Sequence, residues 1–549
     1  MTLLHPKRSS SVTVLFVFSV CLALSSCGKT DRRAGDVSRG VVAAATPEAA
    51  DAGREILRNG GNAIDAAVAA AFALGVTEPA GSGLGGQTVI LFQNPGREPL
   101  VINGTSFAPA ATPDTITTYA SLRGRRGFTV PTTVKTLAFA LKHYGSGAVS
   151  WKQVLAPAIR YAEQGFPLGP YRRRSLEVSA AELRRDSATA ALFLPGDSIP
   201  PAGFIFKQPV LARTLRHLAE AGPDDFYHGD LARLIAHDMQ SHGGWITLDD
   251  LESLPDPAVV PALSSTCRGW NVHTLPPPYG GWTVLAILNL LEHTSPEETL
   301  PGTVAWDIAL ARALQAGHRA RKEHPVTDLA RYRREVDERL DKDYLFRLLE
   351  RDGVTGAGET THLSIVDRDG MVVGLSQSVN YFFGAKVASP DLGFVYNDYM
   401  REFVLDDPRS PYALRAGAMP YSSMSATIVA RGETPVMAVG SPGSARIISA
   451  VVQVVSNWID RGMDIGGAVA APRMHVVPPN RILFERGISK NLARRFKKAG
   501  FELEQPPVEV ARDGFNAYFG GVHAVAFEDG QWTGAADPRR DGTVVFVRE

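Results

Sequence analysis

The stretch from Gly356 to Asn380 constrains the fold of this chain more than any other part of its 549 residues. Two apolar runs, Leu363 to Val366 and Met371 to Leu375, are joined by the dipeptide Asp369-Gly370. Because Asp-Gly readily supplies the positive φ of a tight turn, the pattern predicts a β-hairpin. The pair Thr360-Thr361 directly precedes the first run. The pattern therefore places a threonine at the start of a strand, after a glycine-rich segment.

A threonine in that position has two interpretations. Threonine is common in strands, and β-propensity alone explains a pair of threonines before a hairpin. The other interpretation is self-cleavage between Glu359 and Thr360, which would give Thr360 a free α-amine beside its own hydroxyl. Such an amine, with an ordinary pKa of about 7.7–8.0, can act as the general base for the hydroxyl. This stretch alone favours the first interpretation, so the rest of the chain has to decide.

Composition limits the classes of protein that the chain can represent. Its length exceeds one ordinary core, so two or three domains or one large multilayer domain are expected. Lys plus Arg equals Asp plus Glu, at 57 each, and no basic stripe is present, so nucleic-acid binding is not predicted. Thirteen histidines are scattered without HExxH, CxxC or paired-ligand spacing, so no metal and no cofactor are predicted.

Residues 1–26 have the pattern of a lipoprotein signal peptide. Lys7 and Arg8 precede a mostly apolar run, Val12 to Leu24, and Leu24-Ser25-Ser26-Cys27 matches the bacterial lipobox. An ordinary signal peptide that is cut elsewhere is the alternative. Lipidation of Cys27 predicts an anchor in the bacterial cell envelope, on the periplasmic or outer-surface side of a membrane. Residues 27–39 are then a flexible tether.

Strand pairs alternate with helices along the rest of the chain. Ala63 to Val76 is apolar on every side, which predicts a buried helix. Single strands are predicted over Leu263 to Leu275 and around Gly393 to Tyr396. The loop from Gly440 to Ser444 leads into an apolar helix, Ile447 to Trp458, and its N–H groups suit an oxyanion. Further helices are predicted at Thr132 to Tyr144, Trp151 to Gln164, Val210 to Ala221, Asp230 to His242 and within Thr303 to Leu349. Helices around strand pairs predict a sandwich with the sheets inside.

Several stretches together resemble the γ-glutamyltransferase (γ-glutamyltranspeptidase) family. They lie in family order from about Gly40 onward: Gly40-Val41-Val42-Ala43, Gly60-Gly61-Asn62-Ala63-Ile64-Asp65-Ala66-Ala67-Val68, Gly83-Leu84-Gly85-Gly86, Phe226-Tyr227-His228-Gly229, Gly243-Gly244-Trp245-Ile246-Thr247, Pro276-Pro277-Pro278, Thr360-Thr361-His362, Ser422-Ser423-Met424-Ser425 and Gly440-Ser441-Pro442-Gly443. The resemblance implies an α+β fold, a four-layer αββα sandwich of the N-terminal-nucleophile hydrolase type. It also implies a proenzyme that is cut after Glu359 into a large subunit, 40–359, and a small subunit, 360–549, which stay together.

The resemblance also implies catalytic roles for particular residues. Thr360 is the implied nucleophile, supported by Ser378 and Asn380, and Ser378 replaces the usual threonine of the family. The implied oxyanion hole is formed by the backbone N–H groups of Gly443 and Ser444, where the family has two glycines. These donors survive the change if Ser444 can adopt the required φ and ψ.

Five positions correspond to the substrate-binding groups of the family. Ser422 and Ser423, which meet the α-carboxylate of the donor, are retained. Glu402 stands at the position of an Asp that meets the α-amine, and Tyr399 at that of a Gln. Thr105 stands at the position of an Arg that holds the α-carboxylate. A hydroxyl cannot reproduce the bidentate, permanently charged guanidinium.

Three hypotheses about function follow. In the first, Arg401 or Lys386 supplies the missing cation, and the enzyme cleaves γ-glutamyl donors such as glutathione. The alternative for these two residues, especially for Lys386, is that they are simple surface charges. In the second, the pocket has changed its specificity, and the protein is an amidohydrolase or acylase on another acyl group. In the third, a non-catalytic relative keeps the fold as a binding module. The short connection from Glu402 to Ser422 leaves little chain for a lid, which favours water as the acceptor.

Overall fold

Two antiparallel β-sheets lie face to face at the centre of the molecule. The computed structural model describes residues 40–293, 303–341 without 324, 327 and 330, 359–507 and 511–548. The predicted signal peptide, the tether and Cys27 lie outside these residues. The strands are β1 (Gly40–Ala44), β2 (Gln87–Gln93), β3 (Leu100–Gly104), β4 (Phe166–Pro167), β5 (Ile205–Phe206), β6 (Ala258–Pro261), β7 (Leu263–Cys267), β8 (Trp270–Thr274), β9 (Glu359–Asp367), β10 (Val372–Asn380), β11 (Thr427–Arg431), β12 (Thr434–Gly440), β13 (Met474–Val477), β14 (Arg481–Phe484), β15 (Glu502–Glu504), β16 (Ala511–Arg512), β17 (Phe515–Asn516), β18 (His523–Glu528), β19 (Gln531–Ala536) and β20 (Thr543–Val547).

Helices cover the outer faces of both sheets. They are α1 (Pro47–Arg58), α2 (Ala63–Thr77), α3 (Thr133–Tyr144), α4 (Trp151–Gln164), α5 (Pro170–Leu183), α6 (Ser187–Phe193), α7 (Pro209–Ala221), α8 (Asp225–His228), α9 (Asp230–Ser241), α10 (Leu248–Glu252), α11 (Gly281–Glu292), α12 (Val304–Glu323), α13 (Tyr332–Leu340), α14 (Arg446–Ile459), α15 (Ile465–Ala470) and α16 (Lys490–Lys498). None of the helices in the described ranges is long and apolar enough to cross a membrane.

The order of strands confirms the predicted four-layer sandwich. One sheet has the order β20-β1-β9-β10-β2-β3-β6, and the other has the order β19-β18-β12-β11-β8-β7. The inner core between them includes Val41, Val89 and Val366 from the first sheet, and Ile428 and Val525 from the second. Helices α1 to α4 pack on the outer face of the first sheet, and α11, α12 and α14 pack on that of the second. The layers are therefore α, β, β and α.

Capping residues fix where the first helices begin. Thr46 caps α1, since its hydroxyl accepts from the N–H of Ala49 at 3.2 Å. Asn62 and Asp65 form a reciprocal capping box at the start of α2. All of α2 is buried, as its apolar sequence predicts. The carboxylate of Asp367 accepts from the N–H of Ala63 at 2.9 Å, which ties the start of α2 to the end of β9.

The predicted hairpin is present, but both strands are longer than predicted. Strand β9 begins at Glu359, so Thr360 is its second residue and lies at the start of the strand, as predicted. The pairing of β9 with β10 continues to Glu359 opposite Asn380 and contains an irregularity between Gln377 and Asn380. In the turn, Gly370 has the expected positive φ, at +82°. Pairing with β10 therefore extends β9 across the threonine pair.

Two predicted strands are wrong. Leu263 to Leu275 is a hairpin, β7 and β8, because Arg268 and Gly269 have φ of +52° and +81° and turn the chain. Gly393 to Tyr396 forms only single bridges, Ala388 with Val395 and Gly85 with Tyr396. The three-stranded sheet of β13, β14 and β15 was not predicted.

Candidate active site

Thr360 lies on the central strand β9, opposite the irregular end of β10. Its side chain is buried, with 4% exposure. The Thr360 hydroxyl donates to Ser378 Oγ at 3.3 Å, and Ser378 Oγ also accepts from the N–H of Asn380 at 2.8 Å. Asn380 adopts a φ of +79°, a conformation that asparagine tolerates better than most residues. The structure thus brings together three residues whose catalytic roles were predicted.

A glycine segment packs directly against the backbone of the threonine pair. A Cβ atom at Gly81 would lie 3.3 Å from the Thr360 carbonyl oxygen. The Gly81 carbonyl accepts from the N–H of Val379 at 3.2 Å, and Glu78 accepts a hydrogen bond from the Thr361 hydroxyl. The glycines after α2 therefore allow close approach to β9 and β10 at Thr360.

The predicted oxyanion loop begins beside β9. A Cβ atom at Gly440 would lie 2.3 Å from the ring of His362. The loop then enters α14, and Gly443 and Ser444 have φ of +122° and +58°. Ser444 therefore adopts a left-handed conformation, at a cost of roughly 1–2 kcal/mol for a residue with a Cβ atom. The role of these two N–H groups as an oxyanion hole stays a prediction.

A cluster of neutral polar side chains surrounds Thr105. The Thr105 hydroxyl donates to Gln87 Oε1 at 3.4 Å, and Gln87 pairs across the sheet with Ser378. Burial raises the pKa of Tyr399, whose hydroxyl also interacts with Ser378, Gln87 and Ser422. Thr105 and Tyr399 are thus linked to the strand end that supports Thr360. The structure has a tyrosine and a glutamine here, where the family has a guanidinium.

Glu402 is connected to the same strand end. Asn380 Nδ2 donates to Glu402 Oε1 at 3.1 Å. Burial raises the pKa of Glu402 to about 7 despite this hydrogen bond, and the neighbouring Asp398 also acts to raise it. At neutral pH the Glu402 carboxyl is consequently divided between its charged and neutral forms.

The two cations predicted as substitutes for the missing arginine contact other side chains, although Arg401 also acts to lower the pKa of Glu402. Lys386 is half-buried, and its Nζ lies 3.7 Å from Glu182 Oε2, so it is an ion-paired residue rather than simple surface charge. Arg401 is exposed, and its guanidinium stacks over the ring of Tyr381 at 5.0 Å. Within the described ranges, neither side chain forms a hydrogen bond with Thr105.

Sequence reasoning missed a different cation, Arg321 on α12. Its side chain is buried, with 6% exposure. Arg321 Nη1 donates to Ser423 Oγ at 2.9 Å, and Nη2 donates to the Ser422 carbonyl at 2.6 Å. No local signal pointed to it, because Ala316 to Arg321 are buried on every side of the helix and the partners of Arg321 lie on a distant loop.

One cluster on the large-subunit side has the composition of a metal site. Single ligand atoms of His217, Asp225 and Asp230 all lie within 4.8 Å of one another. The Asp225 carboxylate already accepts from the N–H groups of Asp230 at 3.0 Å and Leu231 at 3.1 Å, at the start of α9. The Asp225 carboxylate in this cluster therefore caps the start of α9. That the protein binds no metal stays a prediction.

The layers and the threonine geometry together define a class of protein. Helices enclose two stacked antiparallel sheets, and a buried threonine hydroxyl lies near the start of a central strand, bonded to a serine of the next strand. This is the arrangement of an N-terminal-nucleophile hydrolase.

Comparisons with known proteins identify the family. A family profile described as Gamma-glutamyltranspeptidase matches residues 49–547. The chain is 30% identical over 551 residues to the "Glutathione hydrolase proenzyme" of Bacillus subtilis, covering 92% of this chain and 91% of that protein. It is 32% identical over 541 residues to the "Acylase ACY 1 proenzyme" of a Pseudomonas species, covering 93% and 94%. A crystal structure of cephalosporin acylase from Bacillus halodurans superposes with a TM-score of 0.83 at 27% identity, covering 96% of this chain and 99% of that one.

The chain therefore belongs to the γ-glutamyltranspeptidase family, as its motifs indicated. It is an enzyme of the hydrolase and transferase type found in that family, which acts on amide bonds.

Proposed function

We propose that this enzyme cuts its own chain before Thr360 and then transfers acyl groups from amide donors through an ester on the Thr360 hydroxyl. The observation that carries the proposal is the chain of hydrogen bonds from Thr360 Oγ1 to Ser378 Oγ and from Asn380 N to Ser378 Oγ. The names of the relatives, both proenzymes, support the cut. The products are a large subunit, 40–359, and a small subunit, 360–549.

Self-processing starts with attack by Thr360 Oγ1 on the carbonyl carbon of Glu359. The C–N bond breaks as the C–O bond forms, so the α-amine of Thr360 takes up the hydroxyl proton. Water then hydrolyses the resulting ester, which frees the Glu359 carboxylate and restores the Thr360 hydroxyl. The α-amine that this step exposes is the general base for later turnovers.

In turnover, the neutral α-amine accepts the Thr360 hydroxyl proton while Oγ1 attacks the donor carbonyl. The negative charge on the tetrahedral oxygen is stabilised by the N–H groups of Gly443 and Ser444; losing one such donor typically costs about 10²–10³ in rate. The leaving amine takes the proton, and the acyl group stays on Oγ1 as an ester. Water hydrolyses the ester in the second half of the reaction.

The γ-glutamyl group, as in glutathione, is the first candidate donor. Ser422 and Ser423 are retained, and Glu402 offers a carboxylate at the position that meets the α-amine. The second candidate is another acyl group, as in an acylase. The neutral cluster of Thr105, Gln87 and Tyr399 favours it, because this cluster offers no guanidinium to a carboxylate.

Water is the proposed acceptor. The connection from Glu402 to Ser422 is short and folds on itself: Val404 donates to the Tyr412 carbonyl at 2.8 Å, and Leu414 donates to the Val404 carbonyl at 3.1 Å. Such a segment leaves little chain to exclude water from the acyl-enzyme.

The deciding experiment is intact mass and N-terminal sequencing of the protein without its leader. A new N-terminus at Thr360, absent in Thr360→Ala, supports the proposal, and the variant should lack all turnover. A wild-type chain that stays uncut after long incubation favours the non-catalytic hypothesis. Turnover by an uncut Thr360→Ala protein rules out the threonine mechanism. A panel of γ-glutamyl, glutaryl and simple acyl anilides then separates the two candidate donors.

We also propose that Cys27 anchors the enzyme to a membrane of the cell envelope. The Leu24-Ser25-Ser26-Cys27 sequence supports this location. The full chain should fractionate with membranes when expressed in bacteria, and Cys27→Ala should release it. A membrane-free wild-type protein would refute the anchor.

A further inference from the structure

We infer that Arg321 is the fixed positive charge of the donor site. It is a positioning residue that prepares Ser422 and Ser423 to bind a carboxylate of the acyl group. The inference rests on the proposed function, because it assigns a substrate class to the same site. In this inference, Arg321 replaces the arginine that the family has at the position of Thr105.

The geometry places the guanidinium directly behind the two serines. Arg321 lies in the last turn of α12 and points its two terminal nitrogens at different parts of the serine pair. Nη1 donates to the Ser423 hydroxyl at 2.9 Å, and Nη2 donates to the Ser422 carbonyl at 2.6 Å. The guanidinium also stacks over the Tyr421 ring at 4.1 Å. Because the planar guanidinium donates to two acceptors at once, it fixes the orientation of the Ser422–Ser423 segment, whereas a single ammonium group cannot.

The hydrogen bonds leave the Ser423 hydroxyl ready to donate. Ser423 Oγ accepts from Arg321, so the proton of that hydroxyl is available for another acceptor. Ser422 Oγ accepts from the N–H of Met424 at 3.3 Å, and its hydroxyl also interacts with Tyr399. The N–H of Ser422 donates to the Pro278 carbonyl at 3.2 Å, which holds the backbone in place. A hydroxyl donor beside a cation forms a site for an anion.

Charge balance supports the same conclusion. Among the described residues, Arg321 forms no ion pair with a carboxylate, whereas Arg319 on the same helix lies 4.0 Å from Glu323. Nε of Arg321 is buried without a hydrogen-bond partner. A buried cation without a counter-charge is costly, and a carboxylate on the ligand would balance it. Burial raises the pKa of the Glu402 carboxyl, and Arg321 acts to lower it.

The expected substrate class is therefore an acyl group that carries its own carboxylate. A γ-glutamyl group and a glutaryl group both satisfy this condition, whereas a γ-glutamyl group whose α-carboxylate has been converted to an amide does not. Comparing these three donors isolates the contribution of the carboxylate. The glutaryl group also lacks the α-amine, so its binding does not depend on the proposed contact between that amine and Glu402.

The test measures kcat and KM of self-processed variants on anilides of the three donors. Arg321→Met should raise KM for the γ-glutamyl and glutaryl donors by about 10- to 100-fold, the loss of charge-assisted hydrogen bonds. KM for the α-amide donor and all three kcat values should change less than about 3-fold. Arg321→Lys, which keeps the charge without the fork, should recover part of the loss. Equal losses on all three donors, or no loss, would overturn the inference.

Arg339→Lys is the matched control. Arg339 also lies over an aromatic ring, that of Trp282 at 5.8 Å, but it pairs with Glu335 at 3.1 Å. This control should show no preference among donors. If Arg321→Met does not fold, Ser423→Ala removes the acceptor of Nη1 and should give the same donor-selective loss; a Ser423→Ala protein with unchanged KM values would overturn the inference.

A binding measurement separates the inference from the proposed function. Calorimetry compares L-glutamate with its α-amide on the wild-type protein and on Arg321→Lys, without any need for turnover. Tighter binding of L-glutamate that weakens in Arg321→Lys supports the inference, and equal binding of both ligands overturns it. A wild-type protein that turns over none of the three anilides counts against the proposed function alone.

Discussion

Asn380 Nδ2 donates to Glu402 Oε1 at 3.1 Å, while the backbone N–H of Asn380 donates to Ser378 Oγ at 2.8 Å. One residue therefore connects the hydroxyl that supports Thr360 with the carboxyl proposed to meet the donor amine. A change in the charge of Glu402 acts close to the reacting threonine, so the donor preference of the enzyme should depend on pH.

The first prediction concerns that pH dependence. Since burial raises the pKa of Glu402 to about 7, its carboxylate forms as pH rises through 7. The ratio of kcat/KM for a γ-glutamyl donor to that for a glutaryl donor should rise over the same range, because only the first carries an α-ammonium. Because the Thr360 α-amine acts on both donors, the effect of its titration cancels in the ratio. Glu402→Gln should make the ratio independent of pH, and a wild-type ratio that is flat from pH 5.5 to 8.5 would contradict the assignment.

The second prediction concerns Ser378. Ser378→Ala removes the acceptor that orients the Thr360 hydroxyl, so both self-processing and kcat should fall by roughly 10- to 100-fold. Ser378→Thr restores a hydroxyl and should retain most of the activity. Processing is followed by gel electrophoresis and kcat by release of the anilide. An alanine variant that processes at the wild-type rate would remove Ser378 from the mechanism.

The third prediction distinguishes the backbone of Ser444 from its side chain. If the N–H group is the oxyanion donor, Ser444→Gly and Ser444→Ala should both keep kcat within about 3-fold. The glycine variant should also melt at a higher temperature than the alanine variant, because only glycine adopts a φ of +58° without strain. A large loss of kcat in both variants would mean that the hydroxyl is the donor.

The fourth prediction concerns acid stability. Burial opposes the ionisation of Asp537, but Arg473 and Arg539 outweigh it and lower its pKa to about 2. The native state therefore binds this proton less tightly than the unfolded state. The stabilisation is present above the unfolded pKa of about 4 and is lost as pH falls from there through 2.

Asp537→Asn should test this by lowering the free energy of unfolding at pH 7. Arg473 and Arg539 lie 2.7 and 2.9 Å from the carboxylate. Arg539 also pairs with Glu485, but the substitution leaves the buried Arg473 without the carboxylate that it pairs with, at a cost of about 3–5 kcal/mol. Thermal melting between pH 2 and 7 gives the comparison. Glu504→Gln, which breaks a half-exposed pair with Arg481, is the control and should cost less than about 1 kcal/mol. Equal effects of the two substitutions would refute the argument.

Local signals allowed much of the fold to be predicted. The helix at Trp151–Gln164 was predicted at its observed bounds, and the structure shows that a capping box of Ser150 and Gln153 fixes its start. The β7–β8 hairpin was missed because its turn, Arg268-Gly269, interrupts an otherwise uniform strand pattern, and an arginine at positive φ is not a turn signal.

The site required long-range information. Thr360 and Ser378 belong to one hairpin, so their proximity follows from local pairing. Thr105 and Ser422 are more than three hundred positions apart in the chain, and only the family resemblance placed them in one site. Arg321 escaped prediction because its partners are serines on a distant loop, and the pKa of Glu402 depends on burial that no local pattern reports.

The pairing of β9 with both β1 and β10 determines whether the two products of the cut can dissociate. In the first sheet, β1, β2, β3 and β6 precede the proposed cut, while β10, β20 and all of β9 except its first residue follow it. In the second sheet, β7 and β8 precede the cut and the other four strands follow it. Each sheet is thus woven from both pieces, and neither piece contains a complete one. The two products cannot part as folded bodies and reassociate like ordinary subunits. Separating the two products would require both sheets to unfold, so each product stays folded only while it remains associated with the other.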